Sequence, residues 1–362
     1  AAHGHRVDLG AVQVDALDRD GALDASPDAH DGLHDHTEEP FGPDHEGGEV
    51  EARGGAEPQL AVGAALAFGA LSAQAQNTVQ IKHASGTTAV PANPKKVIVL
   101  DATTLDNLSA LDVNVAGVPT MSTTARPLPR HLARYNSAPK MGTLFEPDYE
   151  KIHGAKPDLI IVGGRSQAKY AQLAKIAPTI DLTPDRTNLV ASAKNNVNTL
   201  AGLFGKQARA KELTTKLDSS IAALKKQAET AGTGLIVLTT GGKMSAYGPG
   251  SRFGVLHDTF GIKPAVAKLD TSNHGQAISF EFIQKTNPDW LFVIDRDAAI
   301  GREGTAAAKF LDNELVRQSN AWKNKRVVYL DGLNWYTLGG AGITALQENV
   351  DQLSRALNTA GR

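Results

Sequence analysis

The sequence predicts an α/β protein of two lobes, each built on a central parallel sheet, joined by a single long helix. Three observations carry that expectation. Short apolar runs alternate with helix-like segments from Val97 to Leu330, the rhythm of parallel sheets. A long helical stretch at 188–231 interrupts the rhythm. Lys156-Pro-Asp-Leu-Ile-Ile-Val-Gly-Gly-Arg165 is echoed by Asn287-Pro-Asp-Trp-Leu-Phe-Val-Ile-Asp-Arg296, a pseudo-repeat of one lobe in the other. A single continuous doubly wound sheet is the competing architecture.

Residues 1–58 show no apolar periodicity and hold six of the eleven histidines, with fifteen acidic residues against three arginines. This is a disordered composition. A tail outside the mature protein, from a start assigned too far upstream, is the expected reading, and a metal-scavenging His/Asp tract is the other. At 59–75 the apolar stretch Leu60 to Ser72 ends in Ala73-Gln74-Ala75, the mark of a secretory cleavage site. Arg53 is the nearest positive charge, so a basic leader region is missing, and a short buried helix is the alternative. The expectation is an exported chain of residues 76–362.

The first lobe is expected over 76–187. Val97 to Leu100 is a strand followed by a helix from Thr104 to Leu111, and Val115 to Pro119 is a strand followed by a Pro/Arg-rich loop. Asp148 to His153 is helical and leads into the strand Leu159 to Val162. Lys169 to Ala177 and Thr179 to Leu182 complete the lobe as helix and strand. In the linking segment Val197, Leu200, Leu203, Phe204, Leu213, Leu217, Ile221 and Leu224 keep helical spacing, with Gly205 as its break. The second lobe, 232–362, has strand-like runs at Leu235 to Thr239, Trp290 to Ile294 and Val327 to Leu330, and closes with an amphipathic helix from Ile343 to Leu357.

Chemistry is expected where ligands bind in open α/β sheets, beyond the carboxyl ends of the strands. Arg165, Arg252, Arg296 and Tyr336 each follow one of these apolar runs, which suggests one pocket for an anion. Arginine suits such a pocket because its charge is permanent and its fork binds oxygen acceptors in a plane. Tyr336 and His274, the latter in Thr271-Ser-Asn-His-Gly-Gln276, offer phenol and imidazole ligands suited to iron. Taken alone, His274 is a loop histidine and Tyr336 a pocket wall. Gly339-Gly340-Ala341-Gly342 either offers amides to an anion or packs a tight turn.

Several classes are excluded. The chain has no cysteine, hence no disulfide, thiolate site or acylated cysteine anchor. It shows no Gly-x-Ser-x-Gly elbow, P-loop, His-Glu-x-x-His or dinucleotide fingerprint. The part after residue 58 is basic, with 34 Lys and Arg against 24 acids, but these charges are dispersed, unlike a nucleic-acid surface. No apolar run reaches the roughly 18 residues of a membrane span.

Over residues 79–358 the chain resembles the periplasmic binding proteins of iron-siderophore ABC importers, closest to the enterochelin- and petrobactin-type catecholate group. The matching stretches are Gly142-Thr-Leu-Phe-Glu-Pro-Asp-Tyr-Glu-Lys-Ile152, the run ending at Arg165, Tyr247-Gly-Pro-Gly-Ser-Arg-Phe-Gly254, Ser279-Phe-Glu-Phe-Ile283, the run ending at Arg296, and Trp335-Tyr336. The resemblance implies two Rossmann-like lobes bridged by a long helix, the class III arrangement, with ligand in a shallow cleft. It implies that Arg165, Arg252 and Arg296 surround an anionic ferric complex, with Trp335 beside it. It also implies that His274 and Tyr336 complete the iron coordination of a tetradentate siderophore. Glu146 and Glu281 match the acids that dock on permease arginines. The resemblance thus implies a periplasmic, soluble, unanchored monomer without catalysis or intrinsic cofactor, its ligand ferric iron as a siderophore complex. The rivals are a haem binder of this fold with Tyr336 as axial ligand, a metal-dependent enzyme on paired lobes, and a metal buffer acting through the tail.

Overall fold

A six-stranded sheet, a three-stranded sheet, two two-stranded sheets and a layer of long helices make up the described part of the computed structural model, residues 77–121 and 130–360. The acidic tail, the apolar stretch with its Ala73-Gln74-Ala75 end, and most of the Pro/Arg-rich loop lie outside the described residues. The first lobe opens with an antiparallel hairpin of β1 (Thr78–His83) and β2 (Gly86–Pro91). Its sheet comprises β3 (Val97–Val99), β4 (Val118–Thr120), β5 (Lys140–Thr143), β6 (Leu159–Val162) and β7 (Thr179–Asp181). Strand β6 runs parallel between β3 and β7, β4 pairs in parallel with β5, and a parallel bridge from Ile98 to Gly117 adjoins them. The runs VIV and LIIV are buried throughout, as strands covered on both faces must be. Ile98, Ile160 and Val162 face Ile152 and Leu173, while Val97, Val99, Leu159 and Ile161 face the larger core. That is the period-two alternation of a strand. Helices α1 (Ala102–Ala110) and α2 (Tyr149–Ala155) begin at Asp101 and Asp148, whose carboxylates accept the amides of Thr104 and Lys151.

The expected single linking helix is two helices, α3 (Leu189–Phe204) and α4 (Gln207–Ala228). Gly205 separates them at φ 66° and ψ 34°, and its amide bonds back to Ala201. A glycine without Cβ ends a helix in this left-handed conformation at little cost.

The second lobe holds β8 (Thr233–Thr240), β9 (Lys243–Tyr247), β10 (Lys263–Pro264), β11 (Gln276–Ala277), β12 (Trp290–Asp295) and β13 (Val327–Tyr329). Strands β8, β10, β12 and β13 are parallel, whereas β9 folds back antiparallel on β8 and β11 antiparallel on β9. The sheet is therefore mixed where the sequence suggested a parallel one. Leu235, Val237, Leu291 and Val293 face a small outer core. Ile236, Leu238, Phe292 and Ile294 join the large core, which also contains Val99 and Ile161 of the first lobe and Leu200, Leu217 and Leu224 of α3 and α4. Helix α5 (Phe280–Thr286) covers the outer side, and α6 (Ile343–Ala360) ends the described chain.

Helix α6 follows the second sheet in sequence but packs on α4, α1 and α3. Its apolar stripe is Ile343, Leu346, Val350, Leu353 and Leu357. Helix α1 grips its start. Asn107 Oδ1 accepts the Ile343 amide at 2.8 Å, and Asp106 Oδ2 accepts those of Thr344 and Ala345 at 3.0 and 3.1 Å. One turn earlier, Thr103 Oγ1 donates to the Leu338 carbonyl at 2.9 Å. Burial pushes the Asp106 pKa up, while the Ala345 amide and the His131 charge pull it down. Gly342 is required here, because a Cβ would lie 2.1 Å from Asp106 Oδ2.

Asp106→Ala strips the buried Ala345 amide and the part-buried Thr344 amide of their acceptor, at a cost of about 1–3 kcal/mol. Urea unfolding should show a lower midpoint with an unchanged slope. A midpoint equal to that of the parent would mean the clamp contributes nothing.

Candidate functional site

Tyr336 lies in a π-helical turn, Leu333–Thr337, after β13, and three arginines from three other segments converge on it. Arg165 stands in the 3-10 turn Gly164–Lys169 just past β6. Its Nη1 donates to the Thr337 carbonyl at 2.9 Å and its Nη2 to the Tyr336 carbonyl at 3.2 Å. The chain turns so sharply because Gly164 takes φ 49° and because a Cβ on Gly163 would press on Asp101 at 3.0 Å. Burial raises the pKa of Asp101; the Thr104 amide and hydroxyl, then the Arg165 charge, oppose it.

Arg296 opens a short helix at the end of β12, held by Asp295, whose Oδ1 accepts the Ala298 amide. Its Nε donates to Tyr336 Oη at 2.7 Å and its Nη1 to Thr240 Oγ1 at 3.3 Å. Arg252 Nη2 donates to the Tyr336 carbonyl at 3.0 Å, and its guanidinium carbon lies 4.4 Å from the centre of the Tyr336 ring. The corresponding distances for Arg296 and Arg165 are 5.5 and 5.8 Å.

Arg252 reaches this point by a different route from the one the sequence suggested. It does not follow β8, since the antiparallel strand β9 intervenes. The loop after Tyr247, with Gly250 at φ 72°, returns it to the cluster.

These oxygen acceptors are neutral carbonyl, hydroxyl and phenol groups. Three guanidinium charges around one ring repel each other, and an anion placed among them lowers the energy of all three. Two concavities lie away from this cluster. One, of about 700 Å³, runs along β1 and α3 past His83 and Asn196; the other lies beside Phe280 and Phe310.

Trp335, expected beside the ligand, is 1 % exposed and packs edge-on to Phe260 at 6.4 Å. Successive residues of a helical turn point to different sides, so exposing the arginine-facing side of Tyr336 sends its neighbour into the core. His274 is exposed in the turn Ser272–Gly275 and makes no hydrogen bond among the described residues. Its neighbour Asn273 is held instead, its carbonyl accepting Tyr247 Oη at 3.5 Å.

Glu146 is exposed between β5 and α2, not within a helix, and accepts from Lys169 Nζ through both oxygens at 3.1 Å. Glu281 is exposed in the first turn of α5. Its own backbone amide and the Ser279 hydroxyl lower its pKa.

Sequence reasoning missed two residues. Tyr247, at the end of β9, is buried with its ring 4.7 Å from Phe253. Burial pushes its pKa up to about 12, against the pull of the Arg252 charge. Arg186 extends from the loop after β7 and donates to Asn273 Oδ1 at 3.3 Å. The signal that found Arg165, an arginine shortly after an apolar strand, would have found Arg186 after Thr179–Leu182. Among the described residues no group of three or more His, Asp or Glu side chains could hold a metal ion.

A family model described as periplasmic binding protein matches residues 97–332. The chain is 40 % identical over 287 residues to the petrobactin-binding protein YclQ of Bacillus subtilis (strain 168), covering 78 % of this chain and 88 % of that protein. It is 33 % identical over 286 residues to the ferric-anguibactin-binding protein FatB of Vibrio anguillarum (strain ATCC 68554 / 775), covering 77 % and 87 %. The crystal structure of the periplasmic catecholate-siderophore binding protein VctP from Vibrio cholerae matches with a TM-score of 0.71 at 30 % identity, covering 78 % of this chain and all of that one.

Arg252→Met keeps an apolar chain against the Phe253 and Tyr336 rings while removing one of the crowded charges. In the ligand-free protein it should stabilise the fold by about 0.5–1 kcal/mol at low salt, and by less near 1 M salt, where the repulsion is screened. A drop in the low-salt unfolding midpoint would mean that the hydrogen bond to Tyr336 outweighs the repulsion.

Proposed function

The chain belongs to the periplasmic binding protein family, and from that membership we propose that it captures an anionic ferric siderophore and hands it to an ABC permease. The convergence of Arg165, Arg252 and Arg296 on Tyr336 carries this reading. A ferric catecholate is an anion rich in phenolate oxygens, the acceptors that guanidinium forks bind best. Each charge pair at about 4 Å gains roughly 4 kcal/mol at an effective dielectric near 20, before desolvation. The similarity to YclQ and FatB, whose names specify petrobactin and ferric anguibactin, supports the same ligand class here.

Iron is the cargo, and no bond of the ligand is made or broken by the protein. Tyr336 Oη and the imidazole of His274 are the groups that fill iron positions left open by a tetradentate siderophore. The exposed turn carrying His274 is free of internal hydrogen bonds to its imidazole, so the ring can swing to a ligand without breaking any. Glu146 and Glu281, one exposed acid per lobe, are the docking points for a basic permease surface. To engage there, Glu146 exchanges Lys169 for a permease cation, an exposed ion pair of little strength. The exported protein begins after Ala75 and works as a monomer in the periplasm. Among the described residues no helix is long and apolar enough to cross a membrane.

Titration of the full chain with a tetradentate ferric bis-catecholate, a hexadentate tris-catecholate and haem tests this reading. The bis-catecholate should bind with a shifted iron charge-transfer band. Tyr336→Phe should abolish the shift, and Arg296→Ala should weaken binding by about tenfold or more. Haem binding in place of the catecholates would overturn the assignment, and an unshifted band in the parent protein would remove Tyr336 as an iron ligand.

A further inference from the structure

Resting on the siderophore reading, we propose that Arg186 is a fourth ligand-binding cation, and that it selects ferric chelates bearing a carboxylate outside the iron-binding oxygens. Its placement follows the rule of the others. Arg165 lies just past β6, and Arg186 lies just past β7, the neighbouring strand of the same sheet.

The loop that carries it is fixed. Thr183 donates from its amide and hydroxyl to Asp181 Oδ1 at 2.9 and 2.6 Å, and the Asp185 amide donates to Ser192 Oγ at 3.0 Å. The Gly164 amide donates to Thr183 Oγ1 at 3.0 Å, which ties this loop to the turn bearing Arg165. The adjacent carboxylate, Asp185, is occupied by the amide and hydroxyl of Thr187 at 2.8 and 2.7 Å. Arg186 is exposed and forms no ion pair among the described residues. Its hydrogen bond crosses from the first lobe to Asn273, next to His274.

Partial loss of water contact and the nearby Arg252 charge both disfavour the protonated guanidinium. It remains charged, because arginine does not titrate in this range. A second guanidinium near Arg252, carried on a fixed loop and without an acid of its own among the described residues, is a position where an anion relieves repulsion. The group whose two coplanar oxygens fit a guanidinium fork is a carboxylate. Arg186 therefore addresses a group of the ligand outside the iron-binding oxygens, beside the 271–275 turn from which His274 reaches the iron.

The test uses two ferric bis-catecholate chelates that share one linker, with and without a single carboxylate on it, titrated calorimetrically into the full chain. The parent should bind the carboxylate chelate about tenfold more tightly. Arg186→Gln should lose that preference, weakening the carboxylate chelate about tenfold more than the plain one, and Arg186→Lys should keep part of it. A preference that survives in Arg186→Gln, equal weakening of both chelates, or no preference in the parent would overturn the proposal while leaving the siderophore reading intact. A parent protein that binds neither chelate would overturn both.

Discussion

A segment of the second lobe is fastened to the first, and the arginine–tyrosine cluster depends on that attachment. The stretch from Leu338 to Ala345 is held by Thr103, Asp106 and Asn107, three residues of one helix in the other lobe. Tyr336 and Thr337 sit immediately upstream, so the same clamp sets where their carbonyls lie. Only with those carbonyls in place can Arg165, from the first sheet, bond the turn that also receives Arg252 and Arg296. A buried carboxylate at the positive end of an 18-residue helix is a strong local anchor. Together with the shared core of α3, α4 and α6, it ties the lobes over a wide surface, which leaves little room for a large hinge motion on ligand capture.

The cluster in turn gathers three like charges around one ring. Hydrogen bonds to the Tyr336 and Thr337 carbonyls, the Tyr336 hydroxyl and the Thr240 hydroxyl position the guanidinium groups. Binding free energy is then not diverted into arranging the site, because the fold has already gathered the charges. Crowding like charges at one point costs stability, the usual relation between a functional site and the rest of a fold.

Much of this was legible in the sequence, and the parts that were not share a cause. The strands around Arg165 and Arg296 are unbroken apolar runs, and counting forward from them places both side chains correctly. The count failed for Arg252 because β9 is short and half polar. Its cue was Gly241-Gly242, which takes φ 54° and 73° and turns the chain into a hairpin. Trp335 was misplaced because adjacency in sequence says nothing about direction within a turn. The Asp106 clamp was invisible, since its partners are more than 230 residues away, and an aspartate inside a helix carries no local mark of such a contact. Gly205 did mark its break, and the two linking helices follow from it.

The pseudo-repeat shows why two lobes could arrive at the same chemistry. In Lys156-Pro-Asp158 and Asn287-Pro-Asp289, the first residue ends a helix in the left-handed conformation, at φ 50° and 45°. Proline then prevents the helix from continuing. The aspartate fastens the new strand to its neighbour: Asp158 accepts the amides of Lys95 and Lys96, and Asp289 that of Thr233. These residues are structural, and they set the start of β6 and β12. Because each run from that start to its arginine has the same length, the two guanidinium groups emerge from the carboxyl edges of their respective sheets. Repetition of a folding signal is thus enough to deliver two charges to one point, the Tyr336 turn, with β9 and its returning loop supplying the third.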